Sequence, residues 1–218
     1  MTTTPAIPTR AHLESFFARV DPVRAKLIFA VDATASRQPT WDTAAHLQSQ
    51  MFATTAAIGG LDVQLLHFGG ERCVASKWLS DPKALAAIMA RVTCVAGHTQ
   101  IQKVLAHARK ENAREKVAAL VLISDACEES HFTLYNEARE LGGVPVFAFQ
   151  EGDDERVAGI YSEIARLTGG AHCEFDAGAA QRLVDLLKAV AAFAAGGIKA
   201  LAAQKSEAAT LLLTQIKN

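Results

Sequence analysis

The hydrophobic positions of this chain fall into two alternating patterns. "AKLIFAVD" (25–32) and "VAALVLISD" (117–125) are continuous apolar runs closed by an acid, the signature of strands buried on both faces. "LDVQLLHF" and "RCVASKWL", joined at Gly69-Gly70, read as a hairpin. "VPVFAFQ" and "AHCEF" complete six strands. The segments between them carry apolar residues at helical spacing. Leu13, Phe16, Phe17 and Val20 follow a Thr9 cap, and Leu47, Met51 and Ile58 follow a Thr40 cap and end at Gly59-Gly60. Further helices are predicted from Asp81-Pro82 to Arg91, from Gln100 to Ala113, from about Ser130 to Gly142-Gly143, from Glu155 to Thr168, and from Ala179 onward with a break at Gly196-Gly197.

Strands alternating with helices predict an α/β fold: a doubly wound, mostly parallel six-stranded sheet of Rossmann-like type. One antiparallel strand lies at its edge and helices cover both faces. The organisation expected is an N-terminal arm and short helix over 1–23, one α/β domain over 24–195, and an amphipathic helical tail over 196–218. That tail either packs back on the domain or serves as a homodimer or partner helix.

Composition narrows the function classes. Half of the 218 residues are hydrophobic and the formal charge is −1, with no Lys/Arg stripe to track phosphates, so nucleic acid is not an expected partner. Cys73, Cys94, Cys127 and Cys173 are widely spaced, which argues against a zinc site or a disulfide framework and for buried free thiols. "MTTTPAIPTR" lacks the pattern of a signal peptide, and "AVAAFAAGGIKALAA" is short, charged at Lys199 and interrupted by glycines. No membrane association is expected, and the alanine bias adds the expectation of a bacterial, cytoplasmic protein.

The unusual polar residues sit where such a sheet binds ligands, beyond the carboxyl ends of its strands. Asp32 closes the first strand, Thr34 and Ser36 follow at alternate positions, Thr99 lies in the loop "TCVAGHT", and Asp125 closes "LVLIS". Two carboxylates and three hydroxyls are hard oxygen donors, suited to Mg²⁺ or Mn²⁺. The carboxylates would balance the ion's charge, and the neutral hydroxyls would fill positions without quenching it.

"VDATASRQPTWDTA", "GHTQIQKVL" and "VAALVLISDACEE" resemble, in order, the three loops of the metal-ion-dependent adhesion site (MIDAS) of von Willebrand factor A (VWA) domains. The resemblance spans about residues 24–195. It implies that Thr34 and Ser36 coordinate the ion through their hydroxyls, that Thr99 does so in the ligand-bound arrangement, and that Asp32 and Asp125 hold it directly or through water. It further implies an open position for an Asp or Glu of a partner protein. Thr34 replaces the usual serine, Arg37 a frequent methionine, and His98 and Ala126 two glycines.

Plainer readings stand beside these. Thr99 is also suited to cap the helix after it. Glu128 and Glu129 read as first-turn acids at the helix near Ser130, or one of them as an internal plug of the metal position. Arg37, Trp41, His98, Glu128 and Glu129 form the expected partner-binding rim, with His67 as a further polar rim residue and Asp42 at a helix start. The leading function is a metal-dependent protein-binding adaptor rather than an enzyme. The rivals are a haloacid-dehalogenase-like phosphatase with Asp32 as nucleophile and Lys103 and Asp125 as later motif residues, and a VWA scaffold that binds no metal.

Overall fold

The computed structural model describes residues 24–35, 60–176 and 180–216. The predicted helices after Thr9 and Thr40 lie outside the described residues, as do Ser36, Arg37, Trp41 and Asp42. In chain order the elements are β1 (Ala25–Asp32), β2 (Leu61–Gly69), β3 (Arg72–Leu79), α1 (Pro82–Met89), α2 (Ile101–Arg114), β4 (Ala119–Ser124), α3 (His131–Arg139), β5 (Val146–Glu151), α4 (Glu155–Thr168), β6 (Ala171–Phe175), α5 (Ala180–Ala203) and α6 (Glu207–Ile216).

The six strands form one sheet in the order β3-β2-β1-β4-β5-β6. Only β3, paired with β2 at the edge, runs antiparallel. Because side chains alternate across a strand, β1 serves two cores at once. Leu27, Phe29 and Val31 face the layer of α1, α5 and α6, while Ile28 and Ala30 face the layer of α2, α3 and α4. Strand β4 is split in the same way, with Val121 and Ile123 on one side and Leu120 and Leu122 on the other. A continuous apolar run is therefore what a central strand of this sheet requires. Phe29 alone, fully buried, contributes roughly 2 kcal/mol relative to exposure.

Local chemistry sets the boundaries. Pro145 offers no amide to a ladder, so β5 starts at Val146, while the Pro145 carbonyl still accepts from Leu120 N at 3.0 Å. Asp154 caps α4 by accepting from the amides of Arg156 and Val157, and Gly169 ends it in the left-handed region.

Helix α5 begins at Ala180, as expected from Ala179 onward, nine residues before the "AVAAFAAGGIKALAA" stretch. By length and composition, Gln181–Ala203 could cross a membrane. Here it is a core helix: Leu183, Val184, Leu187 and Val190 are buried against the sheet, and Gly197 (φ 67°, ψ −161°) breaks it near its end. Helix α6 buries Ala209 and Leu212 in the same core. It also places Gln215 on the outer edge of β6, where its side-chain amide pairs with both the N–H and the C=O of His172 at 2.8 Å.

Candidate functional site

Strand order reverses between β1 and β4: the chain leaves β1 for β2 on one side and later returns to β4 on the other. The carboxyl ends of these two strands border the crevice such sheets use for ligands, and Asp32 and Asp125 lie there, at the end of β1 and just past β4.

Asp32 is fully buried. Its Oδ1 accepts from the Thr34 amide at 2.8 Å, and its Oδ2 accepts from the Ser124 hydroxyl at 2.6 Å. Burial pushes the Asp32 carboxyl above its ordinary value. The bonds from Ser124 and Thr34 oppose that rise, and the nearby Asp125 carboxylate adds to it. Two acids thus share one end of the sheet closely enough to feel each other's charge, the setting in which a cation is stabilising.

Three backbone segments close over this end. Val95 N donates to the Ala33 carbonyl at 2.9 Å and Ala33 N donates to Phe68 O at 2.7 Å, so the loop after β1 is held between the second loop and β2. A Cβ on Gly69 would lie 3.0 Å from the Ala33 carbonyl group, and one on Gly97 would lie 2.3 Å from Gly70 Cα, with Gly97 at φ 146°. These glycines permit close backbone approach as well as forming turns. The Gln100 side chain donates to Gly70 O at 2.8 Å and seals the contact.

Thr99 is fully buried but does not cap α2. The cap position is Gln100, which makes no side-chain capping bond. Thr99 instead donates to Glu128 Oε2 twice, from its amide at 3.0 Å and its hydroxyl at 2.7 Å, with Glu129 Oε2 3.4 Å from the hydroxyl. The α2 amides are taken by Glu129, which accepts from Ile101 N and, at 2.9 Å, from Gln102 N. The reading of Glu128 and Glu129 as first-turn acids of the helix near Ser130 is thereby corrected. They reach across to the start of α2, where the first amides need acceptors, and α3 begins only after Ser130 with no acid in its first turn. Burial works to raise the Glu128 carboxyl, yet the two Thr99 bonds, with His98 nearby, carry it below the ordinary value. Glu129 is the reverse: its burial outweighs the bonds it accepts and raises it.

Of the predicted set, Asp32, Thr34, Thr99 and Asp125 lie in the loops at this end of the sheet, and His98 is exposed on the rim. Lys103 donates to the Glu71 carbonyl of the β2–β3 turn at 2.9 Å. His67 lies within β2, half-buried and lowered by burial. Sequence reasoning missed Ser124, whose buried hydroxyl holds Asp32, and Tyr161, whose buried hydroxyl donates to Ala126 O at 2.8 Å and ties the third loop to α4. A lone hydroxyl closing an apolar strand was the available signal for Ser124; Tyr161 offered none. Among the described residues, no three His, Cys, Asp or Glu side chains gather into a metal-binding group, so a cation here would depend on hydroxyl and water oxygens beside two carboxylates.

The family model for "VWA domain containing CoxE-like protein" matches residues 10–143, more than half of the 218. This chain belongs to the CoxE-like VWA-domain family. No curated protein sequence matches it. Solved structures similar to this CoxE-like domain include the SpRpn10 VWA domain (TM-score 0.59, 11% identity, covering 75% of this chain and 95% of that one). Another is the conserved hypothetical protein BatB from Bacteroides thetaiotaomicron (TM-score 0.57, 18% identity, 73% and 95%). A third is the manganese-loaded TRAP protein of Plasmodium vivax (TM-score 0.50, 16% identity, 78% and 75%). At these identities the likeness concerns the fold: a six-stranded, mostly parallel sheet with one antiparallel strand and helices around it.

Proposed function

We propose that this protein is a metal-dependent protein-binding module, an adaptor that uses Mg²⁺ or Mn²⁺ to bind an Asp or Glu of a partner. The observation that carries this reading is the fully buried Asp32 carboxylate at the β1–β4 crevice, held by the Ser124 hydroxyl and the Thr34 amide, with Asp125 just past the end of β4. An acid pair held together there is costly by itself and suits a divalent cation. The donor set fits such an ion: Asp32, Thr34, Thr99 and Asp125, with Ser36 completing it from outside the described residues, would supply hard oxygens. The bound ion would offer an electrophilic position to an outside carboxylate.

Chain residues prepare that position. Ser124 and the Thr34 amide fix the Asp32 carboxylate, and the exposed His98 and Glu128 flank the approach. Arg37 and Trp41, both outside the described residues, are proposed rim contacts from the sequence alone. In the phosphatase alternative Asp32 would be a nucleophile with Lys103 as a later motif residue, but Lys103 is engaged at the β2–β3 turn. The adaptor reading is therefore preferred.

Affinity capture with the full chain tests it. A partner should be retained in Mg²⁺ by the wild type, released by EDTA, and absent with Asp125→Ala. Retention of the same partner in EDTA and by Asp125→Ala would remove the metal from the account.

A further inference from the structure

We propose that Glu128 is a positioning residue for Thr99. Its carboxylate accepts the hydrogen bond of the Thr99 hydroxyl and so leaves that oxygen only lone pairs to offer a cation. This rests on the metal-binding reading of the site above.

Both donors of Thr99 converge on one oxygen, Glu128 Oε2, at 3.0 Å from the amide and 2.7 Å from the hydroxyl. Two contacts to one atom fix the rotamer as well as the backbone of a residue that solvent does not reach. A threonine hydroxyl has one hydrogen and two lone pairs. Once the hydrogen is committed to a carboxylate, the oxygen can act elsewhere only as an acceptor, which is what a metal ligand must be. The bond is charge-assisted, so it also enriches the oxygen's electron density. Carboxylates commonly orient ligating groups in this way.

Helix capping does not account for the contact. The first amides of α2 are already met by Glu129, through Ile101 N and Gln102 N. Half-buried Glu129 holds the helix start and lies 3.4 Å from the Thr99 hydroxyl, while exposed Glu128 takes the shorter bond from it at 2.7 Å.

The test is Mn²⁺ titration by calorimetry of the full-length wild type, E128A, E128Q, T99V and the T99V/E128A double variant, with melting temperatures of the metal-free proteins alongside. E128A is expected to weaken Mn²⁺ by about 10- to 100-fold, the usual effect of losing an orienting partner. E128Q keeps a neutral acceptor oxygen and should fall between the two. In the T99V background, E128A should cause no further loss.

Tighter binding by E128A would show a carboxylate competing with the ion, and unchanged binding would show no role; either overturns the proposal. So does an undiminished loss in the T99V background, which would mean that Glu128 acts through space by charge. An E128Q loss that merely follows a fallen melting temperature also overturns it. If the wild type itself takes up no Mn²⁺, the metal reading falls and this inference with it. If the wild type titrates and E128A matches it, the metal reading stands and only the positioning role is lost.

Discussion

The two ends of the sheet treat charge in opposite ways. At the end where β1 begins, several charges among the described residues meet their opposites. Arg24 binds Asp62 at 2.9 Å, Lys26 pairs with Glu115 and lies over the Trp78 ring, and Glu111 takes both the Trp78 indole N–H at 3.1 Å and Arg114 at 2.7 Å. At the end where β1 and β4 finish, Asp32 meets hydroxyl and amide donors and has another acid, Asp125, as its electrostatic neighbour. The first arrangement is complete within the chain and serves stability. The second buries an acid among hydroxyl and amide donors, the arrangement that the proposed cation site uses. Neutralising a carboxylate at the two ends should therefore have opposite consequences for the metal-free protein.

The largest effect is expected where the functional end is clamped. Gly97→Ala would put a Cβ 2.3 Å from Gly70 Cα at a φ of 146°. A loss of about 2–4 kcal/mol in urea unfolding is predicted. A neutral outcome would mean that the three loops are not held by this contact.

Next comes the paired end. Glu111→Ala leaves the Trp78 indole and Arg114 without their acceptor, and should lower stability by about 1–2 kcal/mol in the same assay. Asp32→Asn should do the reverse, leaving the metal-free protein as stable as the wild type or more so, because the group it neutralises is disfavoured by burial. The pH dependence follows the same sign. A carboxyl raised in the native state holds its proton longer than in the unfolded chain. Its contribution is therefore fully present below the unfolded pKa, near 4, and is lost as pH climbs through the raised native value. Wild-type stability relative to Asp32→Asn should fall across that window. A rise there would contradict the assigned shift.

The smallest stability effect is expected at Phe132, which is 70% exposed at the start of α3, beside the third loop. Phe132→Ser should change stability by less than about 0.5 kcal/mol while weakening partner capture. Unchanged capture would place the partner elsewhere on the rim.

The sheet was legible because central strands buried on both faces need uninterrupted apolar runs, and 25–32, 117–125 and 144–150 supply them. The hairpin and the helix over Glu155–Thr168 were legible from turn and cap residues. At the site, the loop positions of Asp32, Thr34, Thr99 and Asp125 followed from where strands end. Which acceptor each donor chose did not follow. Thr99 has ideal capping chemistry, yet the carboxylate of Glu129, 28 residues from Ile101 in sequence, took the helix amides, and Thr99 turned to Glu128. Such choices between local and distant acceptors depend on how closely the loops approach. That approach is set here by Gly69, Gly70 and Gly97, whose close contacts no local pattern announces.

The central claim is that the acid pair at the β1–β4 end is built for a divalent cation. Calorimetric titration of the metal-free full chain with Mn²⁺, beside Asp32→Ala, tests it most directly. The account predicts saturable one-to-one uptake by the wild type and its loss in the variant. No uptake by the wild type, or equal uptake by both, would contradict it.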